Sequence, residues 1–182
     1  MSAMEEHCRD LLQCWRERLE LNRREQGLLA GALQLLDRQL DRLERRSLRI
    51  SVFGRVGVGK SSLVNALVGQ QLMATDVAHG CTRQQQAVLW PRSVPGLQTV
   101  ELVDTPGIDE VEGPARARLA ARVAMHADVV LLVLDADITR VELEALETLQ
   151  TMGKPVLTVL NRSDCWSVDQ LPDLLRSIRR RL

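Results

Sequence analysis

A chain of 182 residues has room for one domain with an added segment, because a second full core would leave each half too small. Its 45% apolar and 26% charged residues exclude both a disordered chain and one embedded in a membrane. The 24 basic and 24 acidic residues cancel, so any contact with RNA, the ribosome or a membrane surface would have to be local. The first ten residues include acids and form no apolar segment; we therefore expect no secretory signal and a cytoplasmic location, with peripheral membrane association as the alternative.

The leader, residues 1–47, is predicted to be helical. No proline occurs from residue 5 to 46, and apolar residues recur at alternating steps of three and four, as in the seam of a coiled coil. Asn22 and Gln26 interrupt this pattern, and Gly27 and Gly31 each cost a helix about 1 kcal/mol relative to alanine. One long coiled-coil helix and a helical hairpin that bends between Asn22 and Gly27 are both compatible with the sequence. The apolar stripe predicts either packing on the chain's own domain or a homodimer or partner contact through the leader.

After residue 47 the sequence alternates between strand and helix patterns. The predicted strands are rich in aliphatic and β-branched residues and cover 48–53, 87–90, 99–103, 129–134 and 156–160. The predicted helices begin at Lys60 and otherwise cover 115–126, 141–151 and 168–181. This alternation predicts an α/β domain over 48–182, with a mainly parallel sheet covered by helices on both faces. Sheets of this kind bind ligands at the carboxyl ends of their strands.

Residues 54–61, GRVGVGKS, match the pattern G-x-x-x-x-G-K-[ST] between a predicted strand and a predicted helix. Its glycines allow backbone angles that point successive N–H groups inward, and the helix that follows adds the positive end of its dipole. Lys60 would place its ammonium against the β- and γ-phosphates, and the Ser61 hydroxyl would bind Mg²⁺. The motif therefore predicts a nucleoside triphosphate site. The phosphate-binding candidates in this loop are Gly54, Arg55, Val56, Gly57, Val58, Gly59, Lys60, Ser61 and Ser62.

The segment LVDTPG at 102–107 ends a predicted strand with Asp104 and continues to Gly107. A carboxylate at a strand end can hold Mg²⁺, and the Gly107 N–H can bond a γ-phosphate and move away once that group leaves. Thr82 in the preceding segment GCTR is either a residue that covers the metal with its hydroxyl or a plain loop residue. The predicted metal ligands are therefore Ser61, Thr82 and Asp104, and Gly107 joins the phosphate-binding set.

Asn161, Arg162 and Asp164 follow the predicted strand at 156–160, again at its carboxyl end. A carboxylate there can accept two hydrogen bonds from the N1–H and the N2 amino group of guanine, whereas adenine has no such pair of donors on that edge. An adenine would leave the carboxylate without a partner, so the site should bind adenine nucleotides more weakly than guanine nucleotides. The three residues predict guanine binding, with a simple polar turn as the alternative.

With these motifs together, the chain resembles the translation-factor-like class of P-loop GTPases, in particular the bacterial Era and TrmE group. The resemblance rests on GRVGVGKSSLVNALVG, GCTR, DTPGI and NRSD, in this order within 48–182. It implies a G-domain fold, Mg²⁺-dependent binding of GTP and its hydrolysis to GDP and phosphate, and a molecular switch between the two bound shapes. Lys60 and Thr82 would then be catalytic residues. The helical leader looks like that of Era-like GTPases of cyanobacteria and related bacteria.

Three positions depart from the family's pattern. Ile108 stands where many signalling relatives have the glutamine that orients the attacking water, so another residue would have to do this; Glu110 and Glu112 are the candidates. Gly57 replaces the asparagine of potassium-activated members, and Arg162 replaces the usual lysine of the base motif. Intrinsic rates in the wider class can be about 10⁻⁴ s⁻¹, so we expect slow hydrolysis that needs a partner or dimerisation.

The sequence ends before the last strand and helix of a complete G domain, so we expect a G domain that lacks these elements. The leading hypothesis is a GTPase switch with GTP and GDP as ligands and Mg²⁺ as cofactor. Two alternatives remain: a nucleotide-binding scaffold with little or no hydrolysis, which Ile108 favours, and an assembly module at membranes. The leucine pattern of the leader and the arginine-rich end favour the latter.

Overall fold

The computed structural model describes residues 3–73, 86–111 and 113–182. By their internal contacts these residues separate into two compact units. The first contains the described part of 1–48 together with 92–100, and the second contains the described parts of 49–91 and 101–182. The sequence predicts a boundary at residue 47 and assigns 92–100 to the α/β domain, whereas this segment groups with the leader.

Two helices, α1 (Ala3–Glu17) and α2 (Arg23–Glu44), make up most of the leader. Of the two arrangements that the sequence allows, the structure shows the helical hairpin, and its turn at 18–22 lies just before the predicted bend between Asn22 and Gly27. Asn22 is the N-cap of α2: its side chain accepts a hydrogen bond from the Glu25 N–H at 3.0 Å, and the Glu25 carboxylate accepts one from the Asn22 N–H at 2.9 Å. Asn22 thus begins a helix instead of bending one, because its side chain satisfies an N–H group that has no partner within the helix.

We refer to α1 and α2 together as the leader hairpin, because the helices lie side by side. Arg16 donates to both carboxylate oxygens of Asp37, at 2.8 and 3.2 Å. This hydrogen bond lowers the pKa of Asp37. No residue of α2 is buried, and Trp15 and Leu28 are exposed, so the leader hairpin has little core of its own.

The strands are β1 (Ser47–Phe53), β2 (Gln86–Leu89), β3 (Thr99–Asp104), β4 (Val129–Leu134) and β5 (Val156–Leu160). They form one sheet in the order β2-β3-β1-β4-β5. β4 pairs in parallel with β1 and with β5, while β2 and β3 are antiparallel. The helices of this part of the chain are α3 (Lys60–Val68), α4 (Pro114–His126), α5 (Arg140–Thr151) and α6 (Gln170–Arg181). The predicted α/β class with a mainly parallel sheet is confirmed, and the element bounds differ from the predicted ones by at most two residues.

Each central strand sends alternate side chains to opposite faces of the sheet. Phe53 and Leu132 pack with residues of α4, α5 and α6 on one face. Val52 and Val133 pack with residues of α3 on the other. Both faces are thus covered by helices, as the sequence predicts, and the polar motifs follow β1, β3 and β5 at their carboxyl ends.

The helices of this unit begin at recognisable signals. α4 has Pro114 in its first turn, and α5 is capped by Thr139, whose side chain accepts from the Glu142 N–H. Among the helices of the described residues, none combines the length and the apolar character needed to cross a bilayer.

Candidate functional site

The loop from Gly54 to Gly59 joins β1 to α3 and carries most of the predicted phosphate-binding residues. Gly54 has a φ of 153°, and a Cβ there would lie 2.4 Å from the carbonyl oxygen of Val133. Gly59 has a φ of 89°, and a Cβ there would lie 2.3 Å from Nδ2 of Asn161. Both the backbone angle and the close contact require glycine at these positions. At Gly57 no described atom lies within 4 Å of the Cβ position, so the loop is open on that side.

Lys60 begins α3 and is buried, with 7% of its surface exposed. Its Nζ donates to the carbonyl oxygens of Gly54 at 3.1 Å and Arg55 at 2.7 Å. Burial lowers the pKa of Lys60, and neighbouring carboxylates offset part of this effect. A phosphate beside Nζ would favour the ammonium form further, so the lysine is placed to meet a polyanion. Ser62, the last predicted member of the set, is exposed in the first turn of α3.

Two of the three predicted metal ligands lie next to each other. The Ser61 hydroxyl donates to Oδ2 of Asp104 at 2.5 Å, and Asp104 is buried at the end of β3. The hydroxyl of the next residue, Thr105, donates to the Val52 carbonyl oxygen at 2.8 Å and ties the end of β3 to β1. A hydroxyl and a carboxylate are hard oxygen ligands of the kind that Mg²⁺ takes alongside phosphate and water, so this pair fits the ion. Thr82 lies outside the described residues.

The segment after β3, which we term the switch loop (105–111), lies close against the phosphate loop. A Cβ on Gly107 would lie 2.4 Å from Cγ2 and 2.8 Å from the main-chain nitrogen of Val56. The Val56 N–H donates to Oδ1 of Asp109 at 2.6 Å, and the Gly107 N–H donates to Oε1 of Glu110 at 2.9 Å. Two N–H groups that the sequence assigns to phosphate are thus bound to carboxylates. Phosphate binding by Gly107 therefore requires Glu110 to move.

Ile108 is 1% exposed and belongs to the hydrophobic cluster that contains Phe53 and Leu132. Its N–H donates to the Gly54 carbonyl oxygen at 3.2 Å. Isoleucine at this position anchors the switch loop to the core and offers no polar group to a water molecule. Of the two carboxylates predicted to replace glutamine, Glu110 lies at the Gly107 amide, and Glu112 lies outside the described residues.

The predicted base motif follows β5 and reaches the phosphate loop. The Asn161 N–H donates to the Leu134 carbonyl oxygen at 2.7 Å, and its Nδ2 donates to the Val58 carbonyl oxygen at 2.8 Å. Arg162 has a φ of 53°, which turns the chain into a 3₁₀ turn at Ser163–Cys165. Asp164 lies in this turn and is exposed. The turn thus begins beside the phosphate loop, with Asn161 as the link.

The side chain of Arg55 contacts acidic residues at the β4–α5 connection. Its guanidinium donates to Glu142 at 3.0 Å and to Asp135 at 3.1 Å, and Asp135 also pairs with Arg162 at 3.5 Å. Because these bonds occupy the guanidinium, Arg55 can contact a phosphate only through its main-chain N–H. The sequence reasoning missed Asp135 and Glu142. The pattern T-x-x-E at 139–142 predicts the cap of α5, but it carries no information about an arginine 87 residues earlier.

A mainly parallel sheet with a glycine-rich phosphate loop after β1, an aspartate at the end of β3 and Asn-x-x-Asp after β5 defines a P-loop G domain. The chain belongs to the 50S ribosome-binding GTPase family, whose model matches residues 49–162, more than half of the chain. Binding and hydrolysis of GTP are the general activities of such domains.

The chain is similar to curated members of this group. It is 32% identical to the tRNA modification GTPase MnmE of Synechococcus sp. (strain JA-3-3Ab) over 162 residues, which cover 86% of this chain and 33% of the relative. It is 37% identical to MnmE of Myxococcus xanthus (strain DK1622) over 134 residues, which cover 72% and 29%. For GTPase Der of Rhizobium johnstonii the identity is 35% over 130 residues, covering 68% and 27%. The chain thus spans a third or less of these relatives, and the specific Era-like placement stays a prediction.

Solved structures share the fold. A probable GTP-binding protein engB has a TM-score of 0.55 at 19% identity, over 73% of this chain and 79% of its own. Toc33 from Arabidopsis thaliana in complex with Mg²⁺ and GMPPNP has a TM-score of 0.53 at 22% identity, over 84% and 71%. For the chloroplast translocon components atToc33 and psToc159, dimerization is described as important for GTPase activity.

Proposed function

We propose that this chain binds GTP together with Mg²⁺, hydrolyses it to GDP and phosphate, and acts as a molecular switch. The observation that carries the proposal is the 2.8 Å hydrogen bond from Asn161 Nδ2 to the Val58 carbonyl oxygen. Asn161 belongs to the base motif and Val58 to the phosphate loop, so a single nucleotide can contact both. The family of the chain supports the same chemistry in general.

In this proposal the main-chain N–H groups of the phosphate loop and the Lys60 ammonium bind the phosphate oxygens. Ser61 and Asp104 hold the Mg²⁺ ion. When bound, the ion draws negative charge from the β- and γ-phosphate oxygens and so stabilises the transition state. Asp164 accepts the donors of the guanine edge, and the aliphatic part of Arg162 lies beside the base.

We propose Glu110 as the residue that orients the attacking water. Its carboxylate is exposed and binds the Gly107 N–H, the group that the γ-phosphate would bind in its place. A γ-phosphate that takes over this N–H releases the Glu110 carboxylate beside the bond to be broken. The buried Ile108 contributes no polar group, so hydrolysis is expected to be slow until a partner or a second copy completes the site.

Competition binding tests the choice of base. A fluorescent GTP analogue should be displaced by GTP and hardly by ATP, and Asp164→Asn should transfer the preference toward xanthosine triphosphate, because its amide now donates where the carboxylate accepted. Asp169→Asn is the matched control, since Asp169 is exposed and its side chain makes no cap hydrogen bond to α6. Equal displacement by ATP, or an unchanged preference in Asp164→Asn, contradicts the guanine assignment.

Phosphate release in a single turnover separates the switch from its alternative, a scaffold that binds nucleotide without hydrolysis. The buried side chain of Ile108 is the observation that favours the scaffold. The switch predicts a rate above that of Lys60→Ala. It also predicts a lower rate in Glu110→Gln without any loss of GTP affinity, because this substitution removes a negative charge that competes with the γ-phosphate for the Gly107 N–H. A wild-type rate no higher than that of Lys60→Ala leaves only binding.

We further propose that the leader hairpin mediates self-association. Trp15 and Leu28 expose 53% and 77% of their surfaces, and α2 has no buried residue. Apolar helix faces of this kind are stabilised by packing on another helix pair. Trp15→Glu combined with Leu28→Glu should lower the sedimenting mass of the full chain, whereas the exposed control Gln34→Glu should not. Equal masses for all three proteins exclude this interface, and pelleting only with anionic lipid vesicles would favour the membrane alternative instead.

A further inference from the structure

Glu142 is a buried carboxylate in the first turn of α5, with 1% of its side chain exposed. Its Oε2 accepts hydrogen bonds from the Thr139 N–H at 2.8 Å and from the Thr139 hydroxyl at 2.6 Å. Its Oε1 accepts from Nε of Arg55 at 3.0 Å. Oε2 therefore caps the helix, and Oε1 binds the side chain of a phosphate-loop residue. A carboxylate this deeply buried is tolerated only with such partners, so the contact to Arg55 is strongly favoured.

The guanidinium of Arg55 is held from a second side by Asp135 at the end of β4, at 3.1 Å. Burial by itself would lower the pKa of Arg55, but the hydrogen bond to Glu142 and the charges of Glu142 and Asp135 raise it overall. Two carboxylates, one directly after β4 and one in the first turn of α5, therefore fix the guanidinium between them. A planar group with several fixed donors suits this bridge better than an ammonium does.

The main chain of the same residue holds Lys60. The Arg55 carbonyl oxygen accepts from Nζ of Lys60 at 2.7 Å, and the Gly54 carbonyl oxygen accepts from it at 3.1 Å. A rotation of the Arg55 peptide would therefore move the ammonium. The side chain that fixes this peptide is the one bound by Glu142 and Asp135.

We propose that Arg55 is a positioning residue for Lys60: its guanidinium, anchored by Glu142 and Asp135, fixes the carbonyl oxygen that aims the ammonium at the phosphates. The inference rests on the proposed binding of GTP at Lys60. Arg55 itself acts through Lys60 and through its side-chain contacts at the β4–α5 connection. The residue thus couples the first turn of α5 to Lys60, and through Lys60 to the bound nucleotide.

A double substitution separates this role from a merely structural one. Arg55→Met with Glu142→Gln removes the half-buried cation and the buried charge, and glutamine keeps an oxygen that can accept the Thr139 N–H at the start of α5. The double variant should unfold at a urea concentration close to that of the wild type, yet bind a fluorescent GTP analogue roughly ten- to a hundredfold more weakly. Its single-turnover hydrolysis should be slower as well, because Lys60 acts in both steps. Arg140→Met with Glu144→Gln is the matched control: this pair lies on the same helix but is exposed, and should change neither quantity.

GTP affinity within twofold of the wild type in the folded double variant would overturn the inference. Arg55→Lys decides the question if the double variant does not fold, since lysine keeps the charge near Glu142 but cannot bridge both carboxylates. Unchanged affinity and rate in Arg55→Lys likewise overturn it, and weakened binding supports it. Failure of the proposed function gives a different result: the wild type itself would not bind GTP, or Lys60→Ala would bind GTP as well as the wild type does. Either result would also rule out the positioning role of Arg55.

Discussion

Gly57 and Gly59 share the left-handed backbone conformation but differ in their surroundings. Their φ angles are 79° and 89°. Within the part of the chain that the structure describes, only Gly59 has an atom, Nδ2 of Asn161, where a Cβ would stand. Gly57→Ala should therefore cost only the backbone strain of about 1–2 kcal/mol in the free energy of unfolding. Gly59→Ala adds a collision worth roughly 1–3 kcal/mol, because Asn161 must leave the Val58 carbonyl oxygen. Urea unfolding without nucleotide measures the loss of stability in each variant. Equal losses would show that the Asn161 side chain can move aside at no cost in free energy.

Lys60 predicts a pH dependence of stability. Its pKa is lowered in the folded protein from an ordinary value of 10.5, chiefly by burial. Between the folded and the unfolded pKa the unfolded chain binds more protons, so the free energy of unfolding rises with pH in that window. Against Lys60→Met, the wild type should gain stability as the pH is raised toward the ordinary lysine value of 10.5. Subtracting the free energy of unfolding of Lys60→Met from that of the wild type removes the contributions of groups that titrate alike in both proteins. A difference that stays constant or falls as the pH rises contradicts the lowered pKa of Lys60.

At the scale of elements, the switch loop holds two carboxylates against the phosphate loop. The Asp109 carboxylate binds the Val56 N–H at 2.6 Å, where it would repel a γ-phosphate. Asp109→Asn removes that charge and should tighten GTP binding by about 1 kcal/mol, roughly fivefold, with a smaller effect on GDP. Displacement of the fluorescent analogue by each nucleotide gives the ratio. Glu147→Gln, on an exposed position of α5, is the control, and an unchanged GTP-to-GDP ratio would place Asp109 outside the path of the γ-phosphate.

The elements of the α/β unit could be predicted from the sequence because their signals are local. Short apolar runs predict β1, β4 and β5, and the motif GRVGVGKS marks the start of α3. The turn in the leader lies slightly before the predicted bend, because the cap formed by Asn22 and Glu25 starts α2 ahead of the glycines at 27 and 31. A good N-cap stabilises a helix by about as much free energy as one exposed glycine costs it, so the cap can determine where the helix begins.

The candidate site was predictable in its residue types and less so in its contacts. Ser61 and Asp104 meet as their motifs suggest. The bonds from Val56 to Asp109 and from Arg55 to Glu142 join residues 53 and 87 positions apart, and nothing in either local pattern links them. Pairing over such distances depends on how the loops fold against one another, which periodicity and spacing do not encode.

For the molecule as a whole, nucleotide binding should appear as a gain in thermal stability that depends on magnesium. A ligand at a hundred times its dissociation constant stabilises the folded state by about 2.7 kcal/mol, which for a chain of this size raises the Tm by roughly 5–10 °C. Because Ser61 and Asp104 would share the ion with the phosphates, EDTA should remove most of the gain given by GTP. Lys60→Ala should show little gain with or without the ion. A Tm shift that EDTA leaves intact contradicts the assignment of these two ligands.

The leader hairpin and the sheet differ in the free energy that local unfolding requires. α2 has no buried residue, whereas β4 has four of its six residues buried. Local opening of such a helix exposes less apolar surface than opening of β4, so in the monomer deuterium from the solvent will enter the amides of α2 before those of β4. Trypsin will find Arg18 and Arg23, which are exposed on either side of the turn, among the earliest cleavage points.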